Sequence, residues 1–269
     1  PRFVPPVESL LTAVATAGVA AAPPGSPPAP PPGLVVRDPS RSGAADTVDY
    51  GGRIKTFYNG FDLSVLYLRH TADRPSLDLA LANGTVFVTP VYDRVNLIGG
   101  SFANTVGDFT LRGEVGYTRD RRLLTEIEAA DIDPTVFVAG GSLGGHVERN
   151  SISYVIGVDW YGLSNTVVSM QFFHDKIFDA PATLFHPGDD YTLTGYVRRT
   201  AMGDDLMFEI EGLINLVDDD ALIRPLIQYD MNDHFAYYLS GDIFIGPADG
   251  VFGQFEPASR VTLGALVTF

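Results

Sequence analysis

The chain has 269 residues and a formal net charge of −15, from 33 acidic and 18 basic side chains. Charged residues make up only 19% of it, below the usual level of about a quarter, so the acidity reflects a shortage of Lys and Arg. Such a chain cannot neutralise phosphates, which argues against nucleic acid as a partner. The absence of cysteine excludes disulfides, thiolate metal sites, iron–sulfur clusters and c-type haem.

The first fifty residues form one block that is rich in Pro, Ala and Gly and has little periodicity. The proline run 23–32 predicts an extended, polyproline-like spacer. We therefore predict a loop or linker over residues 1–50 and a second unit over residues 51–269. The sequence has no apolar run of about eighteen residues, so it predicts no transmembrane helix.

From Gly51 onward the sequence predicts β-strands. Segments of about 9–14 residues rich in Val, Ile, Tyr, Phe and Thr alternate with turn clusters. In "SISYVIGVDWYG", for example, Ile152, Ile156 and Trp160 share one face, and Ser153 and Asp159 share the other. Eleven strands are predicted in this way, at 51–59, 61–72, 93–105, 108–121, 150–162, 165–177, 191–202, 205–217, 221–231, 234–245 and 258–269.

The connections between these strands alternate in length along the chain. Tight connections such as 59–61, 105–108 and 202–205 take turns with long ones such as 73–91 and 122–148, with 218–220 as the one tight member of the second set. This alternation is typical of outer-membrane barrels, which have short periplasmic turns and larger outer loops. It predicts an antiparallel up-and-down transmembrane β-barrel of the all-β class, with eleven or twelve strands visible as part of a larger barrel.

The strand pattern fits two kinds of fold, which differ in the face of the sheet that contacts water. A soluble sandwich or lipocalin-like barrel would bury the apolar face as its core. A membrane barrel would turn that face to lipid and enclose the charged face, and strands of about ten residues are long enough to cross a bilayer when tilted. Tyrosines near the predicted strand ends suit the aromatic girdles of the second reading, which we favour.

The last strand, "VTLGALVTF", ends on Phe269 with apolar residues at alternating positions. It resembles the C-terminal signature of bacterial outer-membrane barrels, which the barrel-assembly machinery recognises. The resemblance implies that Phe269 is an assembly signal and that the partners are outer-membrane lipid and this machinery. It also implies a location in the outer membrane.

An odd number of predicted strands raises a question of parity. Bacterial single-chain barrels have even strand numbers with both termini in the periplasm. With eleven strands and the last one ending there, residues 1–50 would lie on the extracellular side or inside the lumen. We expect at least one further strand upstream of Gly51, either hidden in the proline-rich block or belonging to a longer protein.

Several motifs also resemble the DUF1302 family of Gram-negative outer-membrane proteins. They are "PRFVPPVESLL", "YNGFDLSVLYLRHTADRP", "GDFTLRGEVGYTRDR", "YVIGVDWYG" with "QFFHDKIFD", and "GDIFIGPADGVFGQF" with "RVTLGALVTF". The match spans nearly the whole chain. It implies movement of hydrophobic or small organic molecules across the outer membrane and brings no catalytic residues with it.

The charged faces of the strands supply candidates for lining a lumen. Strand alternation predicts that this set is Arg53, Lys55, Arg94, Arg112, Glu114, Asp159, Asp175, Arg198, Glu209, Glu211, Arg224 and Asp242. In a hydrated lumen such charges can line a path, whereas as cross-strand pairs they would only stiffen the wall. The function predicted is a porin-like channel for small or hydrophobic solutes. The alternative is a structural barrel without an open pore that holds other envelope proteins.

No enzymatic chemistry, cofactor or metal is predicted. A hydrolase would need Ser, His and an acid together, but Ser169 and His174 fall on opposite faces of one predicted strand. The five histidines are scattered without metal-ligand spacing.

Overall fold

The described part of the chain folds mainly into β-strands. The computed structural model describes residues 11–17, 33–41, 48–127, 130, 132–133, 135–185 and 187–268. In chain order the elements are α1 (11–17), β1 (Gly33–Val36), β2 (Ser40–Arg41), β3 (Tyr50–Tyr58), β4 (Phe61–Thr71), β5 (Ser76–Ala82), β6 (Thr85–Tyr92), β7 (Arg94–Val106), β8 (Phe109–Leu124), α2 (Val136–Ala139), β9 (Gly141–Gly144), β10 (His146–Trp160), β11 (Thr166–Ile177), β12 (Asp189–Ala201), β13 (Leu206–Asn215), β14 (Asp220–Asn232), β15 (Phe235–Ile245), a 3-10 helix (Gly253–Ala258) and β16 (Arg260–Val267).

Eleven strands form one antiparallel sheet, the main sheet. Its order is β3-β4-β7-β8-β10-β11-β12-β13-β14-β15-β16, so neighbours follow one another along the chain except where β5, β6 and β9 are inserted. These eleven are the strands predicted from the sequence, and the all-β, up-and-down antiparallel class is confirmed. Within the described residues the sheet stays open, because β3 and β16 each pair with one neighbour and not with each other.

The two ends of the main sheet differ as predicted. At the tight-turn end, Asn59 and Gly60 have φ of 49° and 82°, the left-handed pair of a type I′ turn whose twist matches the flanking strands. The connections after β8, β11 and β15 lie at the other end, the long-connection end. Both β3 and β16 begin at the long-connection end and run toward the tight turns.

A second, small sheet lies within the segments that the sequence analysis treated as connections and linker. Its order is β1-β6-β5-β9, and β2 also pairs with β6. Strands β5 and β6 form a hairpin through Asn83 and Gly84, both left-handed, and β1 runs parallel to β6. The segment 73–91 is therefore a hairpin rather than a loop, and 33–36 is a strand. The predicted division at residue 50 stays a prediction.

The hydrophobic core of the molecule belongs to the small sheet. Val86 and Leu81 are almost fully buried. Burying a side chain of this size contributes about 1.5–3 kcal/mol. The full cluster combines both helices with β5, β6, β9 and the segment before α2, and consists of Val14, Ala17, Leu79, Leu81, Val86, Ile132, Val136 and Leu143. The small sheet is thus held together as a soluble domain would be, and the main sheet is not.

Candidate functional site: the polar face of the main sheet

One face of the main sheet carries charged and hydroxyl side chains across all of its strands, and we call it the polar face. The strand register brings Ser101 opposite Glu114, Ser153 opposite Asp175, and Glu211 opposite Arg224, and residues directly opposite each other share a face. Eleven of the twelve residues predicted to line a lumen lie on it: Arg53, Lys55, Arg112, Glu114, Asp159, Asp175, Arg198, Glu209, Glu211, Arg224 and Asp242. Their role in lining a lumen stays a prediction.

Arg94, the twelfth residue, lies on the opposite face. It is paired with Thr71, and the register between β4 and β7 is unbroken, so Arg94 shares its side with Ile98 rather than with Ser101. Its guanidinium binds Asp49 Oδ1 at 2.5 Å and the Val48 carbonyl at 2.7 Å. The alternation assumed for this strand was one residue out of phase, because its apolar residues occupy both faces: Val95 and Leu97 lie on one side and Ile98 on the other.

Asp49 precedes β3 and is the acidic partner of this contact. The backbone N–H of Thr71 donates to Asp49 Oδ1 at 2.9 Å, and this bond, followed by the one from Arg94, lowers the pKa of the Asp49 carboxyl below its ordinary value. Asp49 therefore stays ionised at any pH above its ordinary titration range. The contact joins the segment before β3 to the long-connection end of β7.

The other face of the main sheet, the apolar face, is exposed along its whole width. Ile54 on β3, Ile156 on β10 and Leu263 on β16 are 77%, 49% and 81% exposed. Large apolar side chains at alternating positions on the other strands are similarly open, including Val65, Ile98, Phe109, Leu111, Val115, Val158, Met170, Val197, Phe208, Ile210, Ile227, Leu239 and Ile243. Soluble monomers rarely expose so many large apolar side chains in one contiguous surface.

Burial in the main sheet is the reverse of that in a soluble protein. Where its described residues are buried, they are polar side chains or glycines, with two exceptions: Val95 and Leu123, near the small sheet. The buried polar side chains are Ser64, Ser151, Asp159, Ser169, Asn215 and Asp220. Among the described residues, no apolar layer covers the apolar face of the central strands.

Aromatic rings gather on the apolar face toward the long-connection end. The His174 ring stacks on Tyr191 with centroids 4.3 Å apart and meets the edge of Tyr154 at 5.2 Å. His174 Nε2 lies 2.9 Å from Asp189 Oδ1, and Lys176 Nζ donates to the same carboxylate at 3.0 Å. An aromatic cluster with a charged rim is typical of a membrane–water interface.

Arg112 and Asp159 form the most enclosed ion pair on the polar face. Two guanidinium nitrogens reach the two carboxylate oxygens at 2.9 and 3.1 Å, and the Ser169 hydroxyl donates to the same carboxylate. Asp159 is only 4% exposed, whereas the Arg112 side chain is 46% exposed. A bidentate pair of this kind fixes the spacing of β8, β10 and β11 near the tight-turn end.

A chain of ion pairs crosses β13 to β16. Arg224 binds Glu211 at 3.2 Å and Asp242 at 3.1 Å, and Asp242 also accepts a bond from Arg260 at 2.8 Å. The two arginine side chains are more than half exposed. Because exposed pairs contribute little stability individually, typically 0–1 kcal/mol, this network is suited to lining a wet surface rather than to holding a core.

The remaining polar-face groups are linked more loosely. Arg53 donates to Ser64 Oγ at 3.0 Å, and Ser64 Oγ lies 2.7 Å from Ser101 Oγ. Tyr196 donates to Glu209 at 2.8 Å, and Glu209 lies opposite Arg198. Lys55 has no ion pair with another residue that the structure describes, and Asp175 accepts a hydrogen bond from Ser153.

Two cavities adjoin on this face. The smaller one has a volume of 380 Å³ and is bounded by Arg53, Glu114 and Asp175 among others. The larger one has a volume of 760 Å³ and lies at the long-connection end between the small sheet and the polar face. Ser153 lines both cavities, so they adjoin at this residue.

The structure also adds Arg121 to the site, a residue that sequence reasoning missed. The register between β8 and β10 shifts between Arg149 and Ser151, and Asp120 in the facing strand has a φ of 58°, which marks a β-bulge. The extra residue reverses the alternation and brings Arg121 to the side of Thr118, where both line the larger cavity. Simple alternation from Arg112 and Glu114 places Arg121 on the apolar face, and the sequence carries no plain signal of the bulge.

Catalytic and metal chemistry find little support in this arrangement. Ser169 lies opposite Asp159 on the polar face, whereas His174 lies opposite Tyr154 on the apolar face. Among the described residues, no group of three His, Asp or Glu side chains could hold a metal ion. The helices of the described segments are all too short or too polar to cross a membrane. The predicted assembly signal, Phe269, lies outside the described residues.

Comparisons with known proteins give a structural likeness. No family model and no curated protein matches the chain. Among solved structures, the KdgM porin is similar over 82% of this chain and 98% of its own, with a TM-score of 0.31 and 11% sequence identity. Because that likeness is distant, we base the functional proposal on the geometry of the chain itself.

Proposed function

We propose that this protein is a porin-like channel of the bacterial outer membrane that passes small or hydrophobic solutes along its polar face. The observation that carries the proposal is the reversed burial of the main sheet, whose apolar side chains are exposed while its buried side chains are polar. An apolar face of this kind is stable in contact with lipid, and the charged face is stable in contact with water. The tight turns would then face the periplasm and the small sheet the exterior.

The polar face suits a hydrated path better than a dry interior. The Arg224 and Arg260 side chains are 54% and 71% exposed, and they stay in contact with carboxylates of opposite sign. In a dry lumen each such pair would carry a desolvation cost of several kcal/mol per ion. In a hydrated lumen, charged side chains of both signs can line a path for small solutes.

We further propose that the chain belongs to the DUF1302 family and that the barrel-assembly machinery inserts it through its last strand. The β16 pattern of alternating apolar residues supports this assignment, since Val261 and Leu263 are among the most exposed apolar side chains. Additional strands would pair with the free edges of β3 and β16 to complete the barrel. We assign no catalytic residue.

A scaffold barrel without an open pore is the second candidate. It is favoured by the small sheet, which lies over the polar face at the long-connection end with the 760 Å³ cavity beneath it. A packed domain in that position could close the barrel and present a surface to other envelope proteins.

Conductance in planar bilayers decides between the two. We expect stepwise currents from the purified protein, and larger steps from a variant that lacks the β5–β6 hairpin. An Arg149→Gln variant, altered at a residue bound to backbone carbonyls and outside both cavities, serves as the control and should conduct as the wild type does. A silent wild type and a silent hairpin deletion would together reject the channel and favour the scaffold.

A further inference from the structure

We propose that the 760 Å³ cavity between the small sheet and the polar face binds amphipathic organic anions, and that Arg121 holds their anionic group. The cavity volume falls within the range of small-molecule sites, about 300–1,000 Å³. The proposal rests on the proposed channel for its biological role, since it names the solute class that would be captured at the outer mouth. Binding itself can be measured without transport.

One wall of the cavity is apolar. It comes mainly from the small sheet and the adjoining ends of β7 and β8, and its members are Leu34, Val36, Leu77, Leu79, Val88, Pro90, Val95, Leu123 and Leu124. Leu79 belongs to the core of the small sheet, and Val95 and Leu123 of the main sheet are also buried, so this part of the wall is firmly packed. A hydrocarbon or aromatic group placed against it would leave water, at about 25 cal/mol per Å² of apolar area.

The opposite wall is cationic and hydroxylic. Thr118 and Ser151 present hydroxyl groups from the polar face, and Arg121 and Arg74 present guanidinium groups. The bulge at Asp120 is what turns Arg121 into this space. A guanidinium beside hydroxyl donors is a suitable receptor for a carboxylate, which it can bind with two parallel hydrogen bonds.

Arg121 is available for a ligand, unlike its neighbour in sequence. Arg122 binds Asp78 at 2.5 Å, lies 3.8 Å from Asp93 and contacts His146. The partly buried Arg121 side chain forms no hydrogen bond or ion pair within the described part of the chain. The charged groups that interact most strongly with the Arg121 guanidinium through space are Asp175 and Arg74.

The charge balance of the cavity also favours an anion. Its lining contains three arginines, Arg74, Arg121 and Arg122, against two carboxylates, Asp73 and Asp93. The surrounding chain has a net charge of −15, so a locally cationic lining stands out against it. A cation would meet the arginines, and a sugar would leave the apolar wall without a partner.

Calorimetric titration of the full chain in detergent with naphthoate tests the proposal, with the uncharged isostere naphthamide as the matched ligand. We expect naphthoate to bind, and naphthamide to bind at least roughly tenfold more weakly because it lacks the charge that Arg121 recognises. Arg121→Gln should weaken naphthoate binding by a similar factor, and Arg121→Lys by less. Benzoate should bind more weakly than naphthoate because it covers less of the apolar wall.

The control variant is Arg149→Gln. Arg149 lies directly opposite Arg121 in the sheet, but it binds the carbonyls of Asp179 and Glu148 and does not line the cavity. It should bind naphthoate as the wild type does. Equal affinity of the wild type for naphthoate and naphthamide would overturn the proposal without any variant, and so would an Arg121→Gln variant that binds like the control.

Failure of the channel and failure of the site have different signatures. Wild-type protein that binds naphthoate through Arg121 but gives no current would reject the channel and keep the site. Current steps without measurable naphthoate binding at millimolar concentrations would reject the site and keep the channel.

Discussion

Replacing Ile156 with arginine tests whether the apolar face contacts lipid. Ile156 lies on β10, four residues before its tight-turn end at Trp160, and its side chain is 49% exposed. A strand tilted by about 40° rises ~2.5 Å of membrane depth per residue. Ile156 should therefore lie about 10 Å from the periplasmic interface, close to the midplane of an apolar band ~25 Å tall.

The expected cost follows from that depth. Arginine at the midplane of a barrel's lipid-facing surface destabilises it by about 2–4 kcal/mol. The same substitution at an ordinary exposed surface position changes stability by at most about 0.5 kcal/mol. The two environments therefore predict effects that differ by several-fold, which is well outside the error of an unfolding measurement.

Reversible unfolding by guanidinium in phospholipid vesicles provides the assay. Trp160 is the single tryptophan and stacks on Phe109 with ring centroids 6.4 Å apart, so its fluorescence reports on the folded sheet. Gln171→Arg is the matched control, because Gln171 lies opposite Gly157 at nearly the same depth on the polar face. The same free energy of unfolding for Ile156→Arg and Gln171→Arg would refute the assignment of the two faces.

Three further predictions concern charged groups. Arg224→Glu should shift the reversal potential of the channel toward cation selectivity, because it replaces the cation between two carboxylates. Asp49→Asn should reduce the loss of stability on acidification from pH ~5 to ~2. The pKa of Asp49 is lowered in the folded chain, so its contribution to folding stability is complete above its ordinary pKa near ~4 and is lost as the pH falls through the lowered value. Asp78→Asn should destabilise the small sheet by about 1–3 kcal/mol, seen as faster hydrogen exchange over 76–92, because Arg122 is only 15% exposed and loses the nearer of its two carboxylate partners.

Each of these predictions has its own contrary result. An unchanged reversal potential for Arg224→Glu would separate this network from the conducting path. A wild type and an Asp49→Asn variant with parallel acid profiles would show that Asp49 titrates alike in the folded and unfolded chains. Unaltered exchange over 76–92 in Asp78→Asn would mean that the apolar core alone holds the small sheet.

The main sheet could be predicted from the sequence because its signals are local. Each strand has a period of two, and tight turns such as Asn59–Gly60 have residues that tolerate left-handed backbone. The short turns fix the register between neighbouring strands. The polar positions of successive strands therefore lie side by side, and eleven of the twelve proposed residues share one face. The face of Arg94 was predicted wrongly because β7 carries apolar residues at both alternating positions, so its pattern does not fix the phase.

The small sheet was missed for a different reason. The pairing of β1 with β6 is parallel and joins residues about fifty positions apart, which no local pattern reveals. The β5–β6 hairpin did carry a signal, since Asn83–Gly84 stands between two alternating apolar segments, but it lies inside a segment assigned as a loop. The face on which Arg121 lies depends on the bulge at Asp120. A bulge reverses the alternation of side chains along the strand and leaves no plain signal in the sequence.

The directions of β3 and β16 determine what kind of seam could join them. Both strands run toward the tight turns, so direct contact would create a parallel ladder in a sheet whose other pairs are all antiparallel. An antiparallel seam needs an odd number of intervening strands, which gives a ring with an even number of members. In hydrocarbon each unsatisfied backbone group costs several kcal/mol. The nine-residue strand β3 has one unpaired edge, so another strand must pair with that edge before the sheet is stable in a bilayer.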